Sequence, residues 1–142
     1  MAHVNPYLTF GGNCEEAFNY YKSVLGGEFL TVMRYKDMPG PHHQDPADDN
    51  LVMHVALPIG KNSLLMGGDR PKSFGPAELG NVFSLAIDPD SREHADKLFE
   101  GLSSGGKADM PMGDAPWGAY FGMLTDKFGV QWMINYDANP KQ

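Results

Sequence analysis

Apolar and polar positions along the chain follow one pattern written twice. Residues 7–27 (YLTFGGNCEEAFNYYKSVLGG) and 84–106 (SLAIDPDSREHADKLFEGLSSGG) both read as an apolar strand, a capped amphipathic helix and a Gly-Gly stop. In the first copy Asn13 takes the N-cap position, with Glu16 as its capping-box partner. Ala17, Phe18, Tyr21, Val24 and Leu25 follow at helical spacing, and Gly26 supplies the C-terminal stop. In the second copy Asp90 and Glu93 take the capping roles, and Ala95, Leu98, Phe99 and Leu102 form the buried stripe. Each copy continues with one strand and closes with a hairpin, MHVALPIGKNSLLMGGD at 53–69 and YFGMLTDKFGVQWMINYD at 120–137. The pattern predicts strands over 3–10, 28–36, 51–57 and 63–66, then over 82–87, 107–112, 119–124 and 130–136. Five-residue turns are expected at 58–62 and 125–129.

Each copy therefore reads β-α-β-β-β, which gives an α+β class. Residues 1–142 are expected to form a single domain, with a first module at 1–69, a linker at 70–80 and a second module at 81–137. Two like modules make the surface between them the natural place for a site. The segment 37–50, DMPGPHHQDPADDN, holds three Pro and four Asp and reads as a loop, of the kind that often forms a lid or rim.

Composition narrows the classes. Apolar residues make up 42 %, and no apolar run approaches the roughly 18 residues of a membrane span. No signal peptide is visible in MAHVNPYLTF. Cys14 is the single cysteine, which excludes an intrachain disulfide and fits a reducing cytoplasm. With 18 acidic against 11 basic residues the net charge is −7, and no Lys/Arg cluster invites nucleic acid or an anionic membrane.

The segments CEEAFNYYKSVLGG, MHVALPIGKNSLLMGGD and WGAYFGMLTDKFGVQWMIN resemble the PhnB-like branch of the vicinal oxygen chelate superfamily, the glyoxalase/bleomycin resistance/dioxygenase group. The resemblance spans nearly the whole chain. It implies two βαβββ modules whose open, curled sheets face one another across a cavity, and a homodimer. Metal-dependent members of the superfamily place ligands at positions that match Asn5, Met66, Val82 and Met133 here. None is His, Asp or Glu, and this set suits a hard divalent ion poorly. No metal and no cofactor is expected. Proteins of this branch are sometimes labelled ubiquinone-pathway methyltransferases, but the Gly11-Gly12-Asn13 turn lacks the fuller glycine pattern of a cofactor loop.

If the first hairpin pairs symmetrically about its turn, His54 lies opposite Met66 and points into the cavity. A neutral imidazole there could act as a hydrogen-bond partner or a general base. His54 is the one catalytic candidate, and the alternative is a half-buried histidine satisfied by a backbone carbonyl. By alternation Gln131 shares the face of Met133, and Trp132 faces the other way. Phe121 aligns with His54 between the copies, as Met133 does with Met66. Trp117 is a candidate cavity wall or lid, with core packing the alternative. Asp69 and Asp126 read as structural residues bonding their own turns. His42-His43 with Asp45, Asp48 and Asp49 is the other cluster with metal-ligand chemistry, but adjacent residues on an extended chain point apart. Cys14 sits in the first turn of a helix, where Glu15 and Glu16 oppose the dipole, so it reads as a packing residue.

The expected function is binding of a small apolar or planar molecule by Met66, Met133, Phe121 and Trp117, with His54 and Gln131 as polar contacts. A lyase, isomerase or dioxygenase acting through a displaced metal or through His54 is the second reading. A dimeric interaction module is the third.

Overall fold

The computed structural model describes residues 4–37, 46–78, 80 and 82–138. The chain divides into two compact units, Met1–Glu78 and Leu79–Gln142, with the boundary inside the segment expected to link the modules. Among the described residues each unit carries one α-helix and one four-stranded mixed sheet.

In the first unit β1 is Tyr7–Phe10, α1 Cys14–Leu25, β2 Thr31–Arg34, β3 Val52–Ile59 and β4 Ser63–Asp69. The sheet order is β1-β4-β3-β2, with β1 parallel to β4 and the other pairs antiparallel. Helix α1 buries Cys14, Ala17, Phe18 and Tyr21. The sheet answers with Phe10, Val55, Leu57 and Leu65, all at most 5 % exposed. Gly67 shares that face, and a Cβ there would lie 2.6 Å from the Phe18 ring. The missing side chain is what lets the helix sit down on β4.

The second unit repeats the plan. Its elements are β5 Leu85–Ile87, α2 Arg92–Ser103, β6 Lys107–Asp114, β7 Tyr120–Thr125 and β8 Gln131–Tyr136, in the sheet order β5-β8-β7-β6. Ala95, Leu98 and Leu102 of α2 are buried, together with Leu124, Trp132 and Ile134 of the sheet. Gly122 plays the part of Gly67, because a Cβ there would lie 3.0 Å from the Phe99 ring.

Four local expectations are corrected. The strands β1, β2 and β5 are shorter than the apolar runs that announced them, since pairing and not hydropathy sets their ends. The first hairpin turns through residues 60–62, not 58–62, because Pro58 pairs with Leu64 and Ile59 with Ser63. The N-cap of α2 is Ser91 and not Asp90. Ser91 is extended (φ −159°, ψ 171°) and its Oγ accepts from the His94 amide at 3.0 Å, while the Asp90 amide donates to His94 Nδ1 at 2.9 Å. Asn13 makes no side-chain capping bond either. Among the described residues no helix is long and apolar enough to cross a membrane.

Candidate functional site

Strand alternation gives each sheet a second face, turned away from its helix. In the first unit this face carries Tyr7 and Thr9 from β1, Leu64, Met66 and Gly68 from β4, His54 and Ala56 from β3, and Met33 from β2. Met66 is flanked by Tyr7 on one side and Ala56 on the other, and Met33 pairs with His54. His54 is therefore not opposite Met66. The shorter turn slips the register by two residues, an even number, so both side chains keep the expected face.

The Tyr7 ring lies across Gly68. A Cβ at Gly68 would fall 2.7 Å from the Tyr7 hydroxyl, which donates to the Met53 carbonyl at 3.2 Å. His54 stacks on this ring, with centroids 5.8 Å apart and planes 21° from parallel. Neither imidazole nitrogen has a hydrogen-bond partner among the described residues, and neither is shut away from solvent. No carbonyl among the described residues satisfies the imidazole, whose orientation is set by the stack on Tyr7. Tyr35 donates to the Asp69 carbonyl at 2.9 Å. Burial, seconded by Cys14 and Asp69, raises the Tyr7 pKa. Burial with Tyr7, Asp48 and Asp69 does the same for Tyr35, so both phenols keep their protons at neutral pH.

In the second unit the matching face holds Phe121, Met123 and Thr125 from β7, Gln131, Met133 and Asn135 from β8, and Ala86 from β5. Gln131 and Met133 share it as alternation requires. Trp132 is buried on the helix side, where its Nε1 donates to Asp126 Oδ2 at 2.8 Å. Trp117 is 64 % exposed and meets Phe121 edge-on, with centroids 5.3 Å apart. It is a surface aromatic anchored at one edge rather than a core residue. The pairing makes Met66 equivalent to Met133 and His54 to Phe121. It also adds Tyr7, Met33 and Asn135, which the sequence reading missed.

Asp69 and Asp126 are structural, though not both in the way expected. Asp126 does bond its own turn, accepting from the amides of Phe128 at 2.8 Å and Val130 at 3.1 Å. Asp69 reaches much farther. Oδ1 accepts from the amides of Gly12 at 2.9 Å and Cys14 at 3.0 Å, and Oδ2 from that of Val52 at 3.0 Å. The end of β4 thus caps the start of α1, and these donors of the glycine turn are spent inside the protein. Cys14 is fully buried, and burial, then Asp69 and Glu15, push its thiol far above the usual range. It is a packing residue.

His42, His43 and Asp45 lie outside the described residues. Asp48 is 5 % exposed and accepts from the Lys72 amide at 3.1 Å, a structural role. The positions that the resemblance implies as metal ligands carry an amide at Asn5, thioethers at Met66 and Met133, and a hydrocarbon at Val82, which is 83 % exposed. This donor set does not fit a hard divalent cation. Among the described residues no group of three or more His, Cys, Asp or Glu side chains could hold a metal ion.

Comparison with known proteins agrees with this frame. Residues 2–135 match the model of the 3-demethylubiquinone-9 3-methyltransferase family. Protein YjdN of Escherichia coli K12 is 34 % identical over 141 residues, covering 93 % of each chain. The crystal structure of protein PA1353 from Pseudomonas aeruginosa is 38 % identical with a TM-score of 0.85, over 96 % of this chain and 98 % of that one. A glyoxylase/bleomycin resistance protein/dioxygenase domain from Frankia shares the fold alone, at 13 % identity and a TM-score of 0.67 over 99 % and 96 % of the two chains. The chain belongs to the 3-demethylubiquinone-9 3-methyltransferase family, the PhnB-like group with the glyoxalase/bleomycin resistance fold.

Proposed function

We propose that this protein binds a small apolar or planar molecule on the helix-free faces of its sheets, with no metal ion taking part. The observation that carries this reading is the pair Tyr7–His54, a stacked aromatic platform whose imidazole nitrogens have no hydrogen-bond partner among the described residues. Such a platform offers a planar ligand a flat apolar surface and one donor–acceptor group that fixes its orientation. Met33 and Met66 supply adaptable apolar contacts beside it, as Met123 and Met133 do on the second sheet. On the second sheet Trp117 with Phe121 forms the aromatic contact and Gln131 the polar one.

A thermal-shift screen with planar aromatic compounds tests the reading. A compound at 100 times its dissociation constant adds about 2.7 kcal/mol of stability. The proposal expects at least one such stabiliser whose effect shrinks in His54→Ala, and a library without any stabiliser would overturn it. The same nitrogens suit a general base, so turnover of a bound compound that His54→Gln abolishes would move the reading to lyase or isomerase chemistry.

A further inference from the structure

Beyond the sheet faces, the first unit holds a second place where charge and cavity meet. Arg70 follows β4 directly, and its amide donates to the Phe10 carbonyl at 2.7 Å. The loop after it folds back around its side chain. A single helical turn at Lys72–Phe74 ends at Gly75, whose φ of +83° suits glycine. Nε of Arg70 donates to the Gly75 carbonyl at 3.2 Å and Nη2 to the Phe74 carbonyl at 2.7 Å. The guanidinium also stands 5.8 Å from the centroid of the Phe74 ring.

Beside this group opens a pocket of about 460 Å³ lined by Thr9, Arg70, Phe74, Pro76, Ala77 and Glu78. That volume lies within the roughly 300–1,000 Å³ of small-molecule sites. A guanidinium carries five N–H donors, and two are spent on the loop carbonyls. The others have no partner among the described residues. Glu78 also has no hydrogen bond or ion pair there. A cation and an anion thus line one pocket without pairing with each other. Phe74, 66 % exposed, and Pro76 give it an apolar wall.

We infer that this pocket binds a small zwitterion with an apolar side group, a free amino acid in chemical class. Arg70 takes the carboxylate, Glu78 the ammonium, and Phe74 with Pro76 the side group, while the Thr9 hydroxyl offers one further hydrogen bond. A simple anion would meet repulsion from Glu78 and a simple cation repulsion from Arg70, whereas a molecule bearing both charges satisfies both. The loop carbonyls already hold the guanidinium, so ligand binding immobilises little that is free beforehand.

Titration calorimetry with L-tryptophan tests this, with indole-3-propionate and tryptamine as analogues that each lack one charge. L-Tryptophan should bind saturably, and both analogues at least tenfold more weakly. Glu78→Gln should weaken L-tryptophan at least tenfold while leaving indole-3-propionate no weaker than before, and among the described residues Glu78 makes no hydrogen bond or ion pair whose loss would disturb folding. Arg70→Lys should weaken L-tryptophan and indole-3-propionate together. His54→Ala should leave all three affinities unchanged, which separates this pocket from the sheet-face site. Equal binding of the three compounds, no saturable binding, indifference to Glu78→Gln, or loss of binding in His54→Ala would each overturn the proposal.

Discussion

The rings of His54 and Tyr7 stack although their strands are not neighbours. Strand β4 runs between β1 and β3, and the two rings meet across it. His54 is half-buried and stacks on Tyr7, and an aromatic pair is worth about 0.5–1.5 kcal/mol, so His54→Ala should cost about 1.5 kcal/mol of stability. The same change should raise the dissociation constant of a sheet-face ligand at least tenfold. Urea denaturation and ligand titration on one sample check both numbers, and a loss above about 3 kcal/mol with unchanged affinity would return His54 to the core.

Gly68 permits that meeting. A methyl group there would fall 2.5 Å from the Met53 carbonyl oxygen as well as 2.7 Å from the Tyr7 hydroxyl. The carbonyl is backbone and cannot swing aside. Gly68→Ala should therefore destabilise by about 1–3 kcal/mol, the usual range for overpacking, and weaken the same ligand. Gly60→Ala is the control. No atom lies within 4 Å of a Cβ there, and only its φ of +64° resists, so ligand affinity should stay as it was.

Asp69 joins three segments through one carboxylate, and Asp69→Ala orphans the amides of Gly12, Cys14 and Val52 together. The bonds of Cys14 and Val52 are buried, and each such orphan costs about 1–3 kcal/mol, so a total loss of about 2 kcal/mol or more is expected. Asp69→Asn, which keeps one oxygen acceptor, should lie between. Hydrogen exchange should show the three amides opening faster as a group in the alanine variant. A rise confined to Val52 would mean that α1 keeps its cap by other means.

The first unit also carries a readable acid response. Arg34 grips Glu15 with Nη1 at 3.2 Å from Oε1 and Nη2 at 2.6 Å from Oε2, and this bond holds the Glu15 carboxyl below its ordinary value. A folded-state pKa below the unfolded one stabilises above the unfolded pKa, and the contribution is lost as pH falls through the folded value. Both groups are solvent-reachable, so the pair is worth about 1 kcal/mol at most. Comparing Arg34→Gln with the parent by urea denaturation at pH 7 and pH 3 should give a difference at pH 7 that shrinks at pH 3. A difference independent of pH would assign the effect of Arg34 to its bond with the Asn50 carbonyl instead.

Much of the frame is legible in the chain. Helical spacing locates both helices, and alternation assigns Gln131, Met133 and Trp132 to their faces. What escapes is contact between segments far apart in sequence. Tyr7 meets Met66 only through parallel pairing, and no local pattern sets the register of such a pair. Asp69 looks like a turn residue until the start of α1 is folded against it. The choice between Asp90 and Ser91 is hidden for a different reason, since both side chains are capable caps and the backbone angle at Ser91 decides. The His54 pairing turned on two residues of turn length, below what composition resolves around Pro58.

The parallel pairing of β1 with β4 imposes an order of events on each unit. As the chain leaves the ribosome its first strand appears without the strand it must join. Tyr7–Phe10 waits until Met66–Asp69 has emerged, as Leu85–Ile87 waits for Trp132–Ile134. The β3–β4 and β7–β8 hairpins, which close over short turns, are the available seeds, and the long loop closures follow. A unit whose hairpin closes first keeps a bare edge on its inner strand until the strand made earliest joins it.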